Sequence, residues 1–491
     1  MAKIQHVVTF KGRFEQFDTV IIGSGPSGST VANTLAEQGD NVLILELGSV
    51  ASPGAILTEH QSIFSRSLSG DGTRDGNPWT ACCVGGGMQF YSAITFRYRE
   101  PDMRASRYLQ SDLQMDWPIE INDLEEHYGY IENLLNMSND RAYPISARGR
   151  NIANAMSSLG YQPQKIPLAI SPPGRRAGCG YCSACDSRSC PQGAKASVMN
   201  LSLLDGTYLK GNITVLYGCV VKRILLSNEG HAHALECYIP FCAEHLIIPV
   251  HKLICCGNAI QSGSLLLRSK SSLARRGIGN EYDLVGRGLS FKVSGYTVGS
   301  NPEWKNDAEL GKKHPGAPAT IYTDDFFQSS AAPTGLGGLL YEAASPLPEN
   351  NIGCLRLHYL AGEEPWSYNR IILDDNVDGF GMPLIRFNYR NTHTDIARLD
   401  FLAARAEDIL REAGASYIQR EVPVYQKGSS HLHGTARAGR NPMNSVVDPY
   451  GKVHGYDNIY VMDASVMNFA GNWNPTHTIM ANARRMAKAI S

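Results

Sequence analysis

Asp18–Glu46 reads DTVIIGSGPSGSTVANTLAEQGDNVLILE, and this stretch decides the fold. Asp18–Gly23 is a short apolar run, the pattern of a strand buried on both faces of a parallel sheet. Ser27–Gln38 has helical character and stops at Gly39, and Asn41–Glu46 is a second apolar strand. Strand, helix and strand within about thirty residues make a βαβ unit. Its first turn, Gly23-Ser24-Gly25-Pro26-Ser27-Gly28, fits G-x-G-x-x-G. Glycines there permit the tight turn and bring backbone amides against a pyrophosphate at the helix N-terminus. Glu46 closes the second strand, where a carboxylate accepts hydrogen bonds from a ribose diol. The six-residue pattern alone is weak. Its placement between strand and helix, with the acid downstream, makes it strong evidence for a dinucleotide site.

The far end of the chain carries a second set of marks. His431 opens HLHGTARAGRNP, Asp457–Ser465 reads DNIYVMDAS, and Gly471–Ala483 reads GNWNPTHTIMANA. The middle segment has the form of a buried strand ending in a polar turn. An imidazole is a suitable general base for an alcohol near neutral pH, so His431 is the candidate base. The amide of Asn474 can hydrogen-bond the same oxygen. His433 and His477 are rivals. His433 shares a face with His431 if the segment is extended, and both rivals are read as structural or supporting. A cofactor site at one terminus and a His/Asn pair at the other imply that the two ends meet.

Between them, Val84-Gly85-Gly86-Gly87 lets backbone pass close to a neighbour. Beside a dinucleotide fold it is read as cofactor contact, against a flexible turn. Asn122–Leu135 reads as an amphipathic helix, Asn212–Tyr238 as strands, and Leu253–Leu267 as strand, Gly257 turn and helix. The block from about 295 to 425 holds alternating strand-like pieces and a helix over Thr394–Ala413. It lacks cofactor motifs and is expected to be a second, substrate-binding domain. Residues 1–294 and 425–491 would then build the cofactor domain, with 295–424 as the substrate domain.

Composition narrows the function. The chain has 491 residues, room for two or three domains, and an ordinary 43% hydrophobic content. Lys plus Arg number 45 against 46 for Asp plus Glu, which argues against a nucleic-acid surface as its main business. The opening MAKIQHVVTFKGRF has no apolar core fit for a secretory signal, and no window is long enough to span a bilayer. The expectation is a soluble, cytoplasmic protein acting on a small molecule, with no membrane partner. Twelve cysteines are many for that setting and are expected as buried thiols or ligands.

Cys179, Cys182, Cys185 and Cys190 lie within CGYCSACDSRSCPQGAK, a Pro- and Gly-rich segment that must be irregular. Short Cys spacing suits an iron–sulfur or zinc site, with Asp186 or water completing it. Disulfides or unligated thiols fit as well, and these alternatives stay open. Cys82-Cys83 and Cys255-Cys256 are expected in the core.

Together these motifs resemble the glucose–methanol–choline oxidoreductases, flavoproteins that oxidise alcohols. The match spans nearly the whole chain and is strongest over 18–48, 83–97, 253–290 and 431–485. The family pattern is a Gly-rich fingerprint, a later Gly-Gly-Gly segment, and a tail H-x-x-G-T, V-x-D-x-S, N-P-T. All occur here in order. The resemblance implies an α/β fold: a Rossmann-like FAD-binding domain plus a substrate domain with an antiparallel sheet. It implies FAD held by Gly23, Gly25, Ser27, Gly28 and Glu46. Gly86, Gly87, Val220, Asp463, Ala464, Asn474, Pro475 and Thr476 would complete that site. It makes His431 the base and Asn474 its partner. Some relatives attach flavin through a His after the Gly-rich segment; Phe90 stands in that place, so non-covalent FAD is expected. The Cys segment resembles C-G-x-C…C-P-x-G-A-K in a branch with sugar and long-chain alcohol dehydrogenases, some of which carry an iron–sulfur cluster. The longer gap before Cys190 departs from that pattern.

The implied reaction is oxidation of an alcohol to a carbonyl by a dehydrogenase or oxidase. The alternative is a hydroxynitrile lyase or other non-redox flavoprotein of the same fold. Length and tail also resemble sugar and aminoglycoside alcohol dehydrogenases. The expected substrate domain is rich in acids, among them Asp307, Glu309, Asp324, Asp325, Glu342, Glu363 and Glu364. Most are expected at the solvated surface. A few in the pocket would suit a cationic amino sugar. The electron acceptor is left open.

Overall fold

The computed structural model describes residues 2–56, 80–137, 143–174, 178–182, 185, 188–201, 210–312, 316–345, 348–421 and 431–490. Asp186 and residues 57–79 lie outside them. The βαβ reading is realised as strand Thr19–Ile22, helix Pro26–Glu37 and strand Val42–Glu46. The two strands pair in parallel, with Ile22 against Leu45. They sit in a six-stranded sheet of order Lys3–His6, Ile213–Tyr217, Val42–Glu46, Thr19–Ile22, Lys252–Cys255, Ile459–Val461. Every pairing in it is parallel.

Thr19–Ile22 therefore has Val42–Glu46 on one side and Lys252–Cys255 on the other. The chain leaves Thr19–Ile22 toward Val42–Glu46 and leaves the adjacent Lys252–Cys255 toward Ile459–Val461, in opposite directions, which opens a crevice at the carboxyl ends of these strands. Gly23, Glu46, Cys256 and Asp463 all follow those ends. The strand Ile459–Val461 brings the tail into this sheet, and helix Thr476–Lys488 packs on Pro26–Glu37. The two ends of the chain thus meet, as the motifs implied.

A second six-stranded sheet is antiparallel throughout, in the order Tyr417–Arg420, Val293–Ser300, Cys354–Ala361, Leu339–Glu342, Ile321–Thr323, Gln164–Lys165. Side chains alternate across a strand. Leu355, Leu357, Tyr359 and Ala361 pack with Leu399, Leu402, Ala406 and Leu410 of the long helix His393–Glu412. The alternate residues, Arg356, His358 and Leu360, face away from that helix. The helix at 122–135 is a short 3-10 turn, Ile121–Leu124, running into Glu125–Leu134. Among the described residues no helix is long and apolar enough to cross a membrane.

Candidate active site

The three fingerprint glycines are required for different reasons. A Cβ on Gly23 would stand 2.4 Å from the Cys256 carbonyl oxygen, and one on Gly28 would stand 2.0 Å from the Gly23 carbonyl oxygen. These two are glycine so that helix and strands can close on each other. A Cβ on Gly25 would meet nothing within 4 Å, and Gly25 lines a cavity of about 400 Å³. Its bare backbone keeps space open for a ligand at the start of the helix. Gly86 repeats the first case, with a Cβ 2.9 Å from the Gly25 Cα, and Gly87 the second. Gly25 and Gly87 thus form a cradle that side chains would fill. This fits a dinucleotide approached by backbone amides.

Glu46 is buried at the edge of this cradle. Its carboxylate accepts from the Ser24 amide at 3.0 Å, the Ser24 hydroxyl at 2.7 Å and the Gly48 amide at 3.0 Å. Burial raises its pKa, and these hydrogen bonds pull it back. Three donors occupy three of roughly four acceptor positions on a carboxylate, so Glu46 ties the loop together as well as facing the ligand space. Val220, Ser27, Ala464, Pro475 and Thr476 line the same cavity. Asp463 also lies on its wall, but its carboxylate is taken up by the protein. It accepts from the Asn258 amide at 2.8 Å, the Ser262 hydroxyl at 2.6 Å and the amide and hydroxyl of Ser465. Asp463 fixes the start of helix Ala259–Arg268 to the tail.

His431 and Asn474 line the same cavity. Burial, with the charge of Lys292 and the neighbouring His433 and His358, pushes the His431 pKa well below the usual histidine value. Asn474 is buried, and its Oδ1 has no protein partner among the described residues. The rival histidines are elsewhere. His433 is fully buried, with Nδ1 2.7 Å from the His431 carbonyl oxygen and Nε2 3.5 Å from the Tyr98 hydroxyl. His431 lines the cavity and His433 does not; the His433 backbone is bridged to Ser290. His477 is buried with ring nitrogens 3.3 Å from the carbonyl oxygens of Thr95 and Tyr128.

The loop that presents Asn474 is clamped by buried charges that no sequence motif marks. Asp102 accepts from the Asn472 amide and side chain, from the Trp473 indole and from the Arg99 amide, each at 2.9 Å. Arg398 donates to the carbonyl oxygens of Leu336 at 2.7 Å and Gly362 at 2.6 Å and to the Asn472 side chain at 2.9 Å. Lys292 donates to the Trp473 carbonyl oxygen and lies 3.4 Å from the Tyr98 hydroxyl. Burial lowers the Lys292 pKa to about 7, against the attraction of Asp102. A lone Asp, Lys or Arg has no spacing signature, so these residues were invisible until the chain folded.

None of the seven acids of the substrate region lines the cavity, and three are not at the surface. Glu342, Glu363 and Glu364 are buried. Glu342 accepts from the Thr320 amide at 2.7 Å, Glu363 from Asn391 at 2.9 Å and Glu364 from the Gln110 amide at 3.0 Å. Backbone amides and amide side chains satisfy these carboxylates inside the protein, which offsets their burial. Asp324 pairs with Arg99 at 2.6 Å, Asp325 accepts from the Gln162 amide at 2.8 Å, and Asp307 and Glu309 are exposed. The second sheet contributes Tyr296, Tyr341 and His358 to the cavity wall instead, alongside Pro318 and Ala319.

Cys179, Cys182, Cys185 and Cys190 are all free thiols. Cys179 lies 3.2 Å from the Tyr143 hydroxyl, and burial pushes the Cys185 thiol up to about 12. Among the described residues no three His, Cys, Asp or Glu side chains converge as a metal set. Lys195 anchors the segment instead, donating to the carbonyl oxygens of Tyr91, Cys185 and Arg188 at 2.7, 2.9 and 2.7 Å. Cys83, Cys255 and Cys256 are buried, and Cys82 is half-buried.

Known proteins share this architecture. The GMC oxidoreductase family models match residues 84–293 and 365–483. The chain is 34% identical over 502 residues to 6'''-hydroxyparomomycin C oxidase of Streptomyces lividus, covering 97% of this chain and 91% of that protein. It is 35% identical over 495 residues to paromamine 6'-oxidase of Streptomyces fradiae, with the same coverage of 97% and 91%. It is 25% identical to 2-methyl-1,2-propanediol dehydrogenase of Mycolicibacterium austroafricanum over 97% of this chain and 95% of that one. Pyridoxine 4-oxidase from Mesorbium loti has the same fold, with a TM-score of 0.69 at 16% identity, covering 96% of this chain and 99% of that one. Fingerprint, tail and family models agree: the chain belongs to the GMC oxidoreductases, a family that binds FAD.

Proposed function

We propose that this enzyme oxidises a hydroxyl group of a sugar-like alcohol to a carbonyl, with His431 as the base and Asn474 as its hydrogen-bonding partner. The observation that carries this is that His431 and Asn474 open onto the cavity that begins at the fingerprint. FAD, when bound, supplies the hydride acceptor. Gly23, Gly25, Gly28 and Glu46 would hold its dinucleotide half. Gly87, Val220, Ala464, Pro475 and Thr476 would face the rest. Phe90, on the same wall, offers no atom for a covalent link. Acid precipitation of the holoenzyme should therefore release all flavin into the supernatant; a yellow pellet would reject non-covalent attachment.

His431 is held neutral by burial and by Lys292, so it is ready to take the hydroxyl proton. The Asn474 amide can donate to the same oxygen as charge builds on it. Orientation by these two groups is the protein's main contribution. The substrate class rests on the two Streptomyces relatives, named as oxidases of paromomycin-type compounds. It rests also on a cavity whose second-sheet wall carries aromatic rings and a histidine. Anaerobic mixing with sugars and amino sugars should bleach the oxidised flavin absorbance faster than mixing with decanol. Faster bleaching by decanol would reject the sugar reading. Absence of bleaching by any alcohol would favour a non-redox role such as a lyase.

A further inference from the structure

The sheet wall of the cavity holds a histidine that the reaction above does not use. Tyr296, His358 and Tyr341 lie on three adjacent strands. His358 registers against Tyr296 on one side and Tyr341 on the other. All three line the cavity, on the sheet face turned away from helix His393–Glu412. The His358 ring lies flat on Tyr296, with centroids 4.2 Å apart and 13° between the planes. It meets Tyr341 edge-on at 4.8 Å, and its Nδ1 is hydrogen-bonded to the Tyr341 hydroxyl. The Arg356 guanidinium sits 3.7 Å from the centroid of the Tyr296 ring and is paired with Glu421 at 2.6 Å. Stack, edge contact and hydrogen bond leave the imidazole one orientation.

In that orientation one polar atom is left over. His358 is 8% exposed, and its Nε2 has no hydrogen-bond partner among the described residues. A buried polar atom without a partner costs free energy and calls for an explanation. A ligand in the cavity supplies one. His358 and His431 line the same cavity, so the unpaired nitrogen belongs to the chamber that holds the candidate base.

The ligand's chemistry follows from the charges. Burial and Arg356 hold the imidazole neutral, with its pKa lowered to about 3. A neutral ring with Nδ1 accepting from Tyr341 presents Nε2–H as a donor; the other tautomer presents an acceptor. A hydroxyl satisfies either. An ammonium satisfies only the second, and the charge of Arg356 opposes it.

We propose that His358 Nε2 recognises a second hydroxyl of the substrate, distinct from the one His431 deprotonates, and that it is a specificity-determining residue. This rests on reading the cavity as an alcohol site. The test uses the FAD holoenzyme and two probes that each carry one hydroxymethyl group on a six-membered ring. Methyl glucoside has ring hydroxyls and cyclohexylmethanol has none. Second-order rate constants for anaerobic flavin bleaching are compared for wild type, His358→Leu and His358→Gln. His358→Leu should lose roughly 5- to 150-fold on the glucoside, the range for stranding a hydrogen-bonding group, and no more than about threefold on cyclohexylmethanol. His358→Gln, whose amide reaches the position of Nε2, should recover most of the glucoside rate. Equal losses on both probes, or no rescue by Gln, would overturn the assignment in favour of a packing role.

Titration of oxidised flavin absorbance with methyl glucoside separates this proposal from the one beneath it. Glucoside binding that weakens in His358→Leu without any bleaching sinks alcohol oxidation and leaves His358 as a hydroxyl contact. No difference between wild type and His358→Leu in either binding or bleaching sinks the His358 assignment itself.

Discussion

Replacing His431 with Ala should slow flavin reduction by about 10²–10⁴-fold, the range for losing a general base, while FAD stays bound. His431 lines the cavity but is no part of the glycine cradle, so cofactor content should match wild type. Rapid mixing with substrate under anaerobic conditions measures the step directly. Asn474→Ala should slow it less, because only a hydrogen bond to the oxygen is lost. Wild-type reduction by His431→Ala would move the base to His433 or His477. Neither has the geometry for it: His433 is spent on the His431 carbonyl and Tyr98, and His477 on two backbone carbonyls.

The same base should show itself in the pH profile. Its pKa is depressed, so the neutral form survives as pH falls through the ordinary histidine range. The rate of reduction should therefore show no acid limb between about pH 8 and 6, where an unperturbed histidine would titrate. A rate that halves near pH 6.5 would place His431 in water rather than behind Lys292.

The second large effect is structural. Asp102→Ala should destabilise the protein by about 3–5 kcal/mol, the cost of breaking a buried charge cluster by removing one partner. Four donors lose their acceptor: the Arg99 amide, the Asn472 amide and side chain, and the Trp473 indole. Lys292 loses its counter-charge as well. The loop that carries Asn474 then has nothing on that side to fix it. Flavin reduction should slow along with the fall in denaturant midpoint. An unchanged midpoint would show that the loop is held by Arg398 and Lys292 alone.

The sequence made the cofactor half of the molecule legible. An apolar run, a glycine-rich turn, a helix and a second run all lie within Asp18–Glu46, so neighbours in sequence are neighbours in space. The same holds for the tail, where His431, Asp463 and Asn474 sit in short motifs whose local geometry they dictate. Even there the fold added roles. Asp463 spends its carboxylate on Asn258, Ser262 and Ser465, and Glu46 binds its own loop before any ribose.

What only the tertiary structure decided is the other side of the cavity. Alternation along Cys354–Ala361 places His358 on one of two faces. Which face meets the cavity depends on helix His393–Glu412 covering the other. That His358 lies between Tyr296 and Tyr341 depends on the register of strands far apart in sequence. The burial of Glu342, Glu363 and Glu364, and the grip of Asp102, Arg398 and Lys292 on Asn472 and Trp473, likewise come from donors scattered along the chain. Local periodicity encodes how a segment folds and which of its faces is apolar. Partners brought together by long-range pairing leave no local pattern, so the residues that aim Asn474 and shape the second-sheet wall of the cavity became visible only when the strands and loops were assembled.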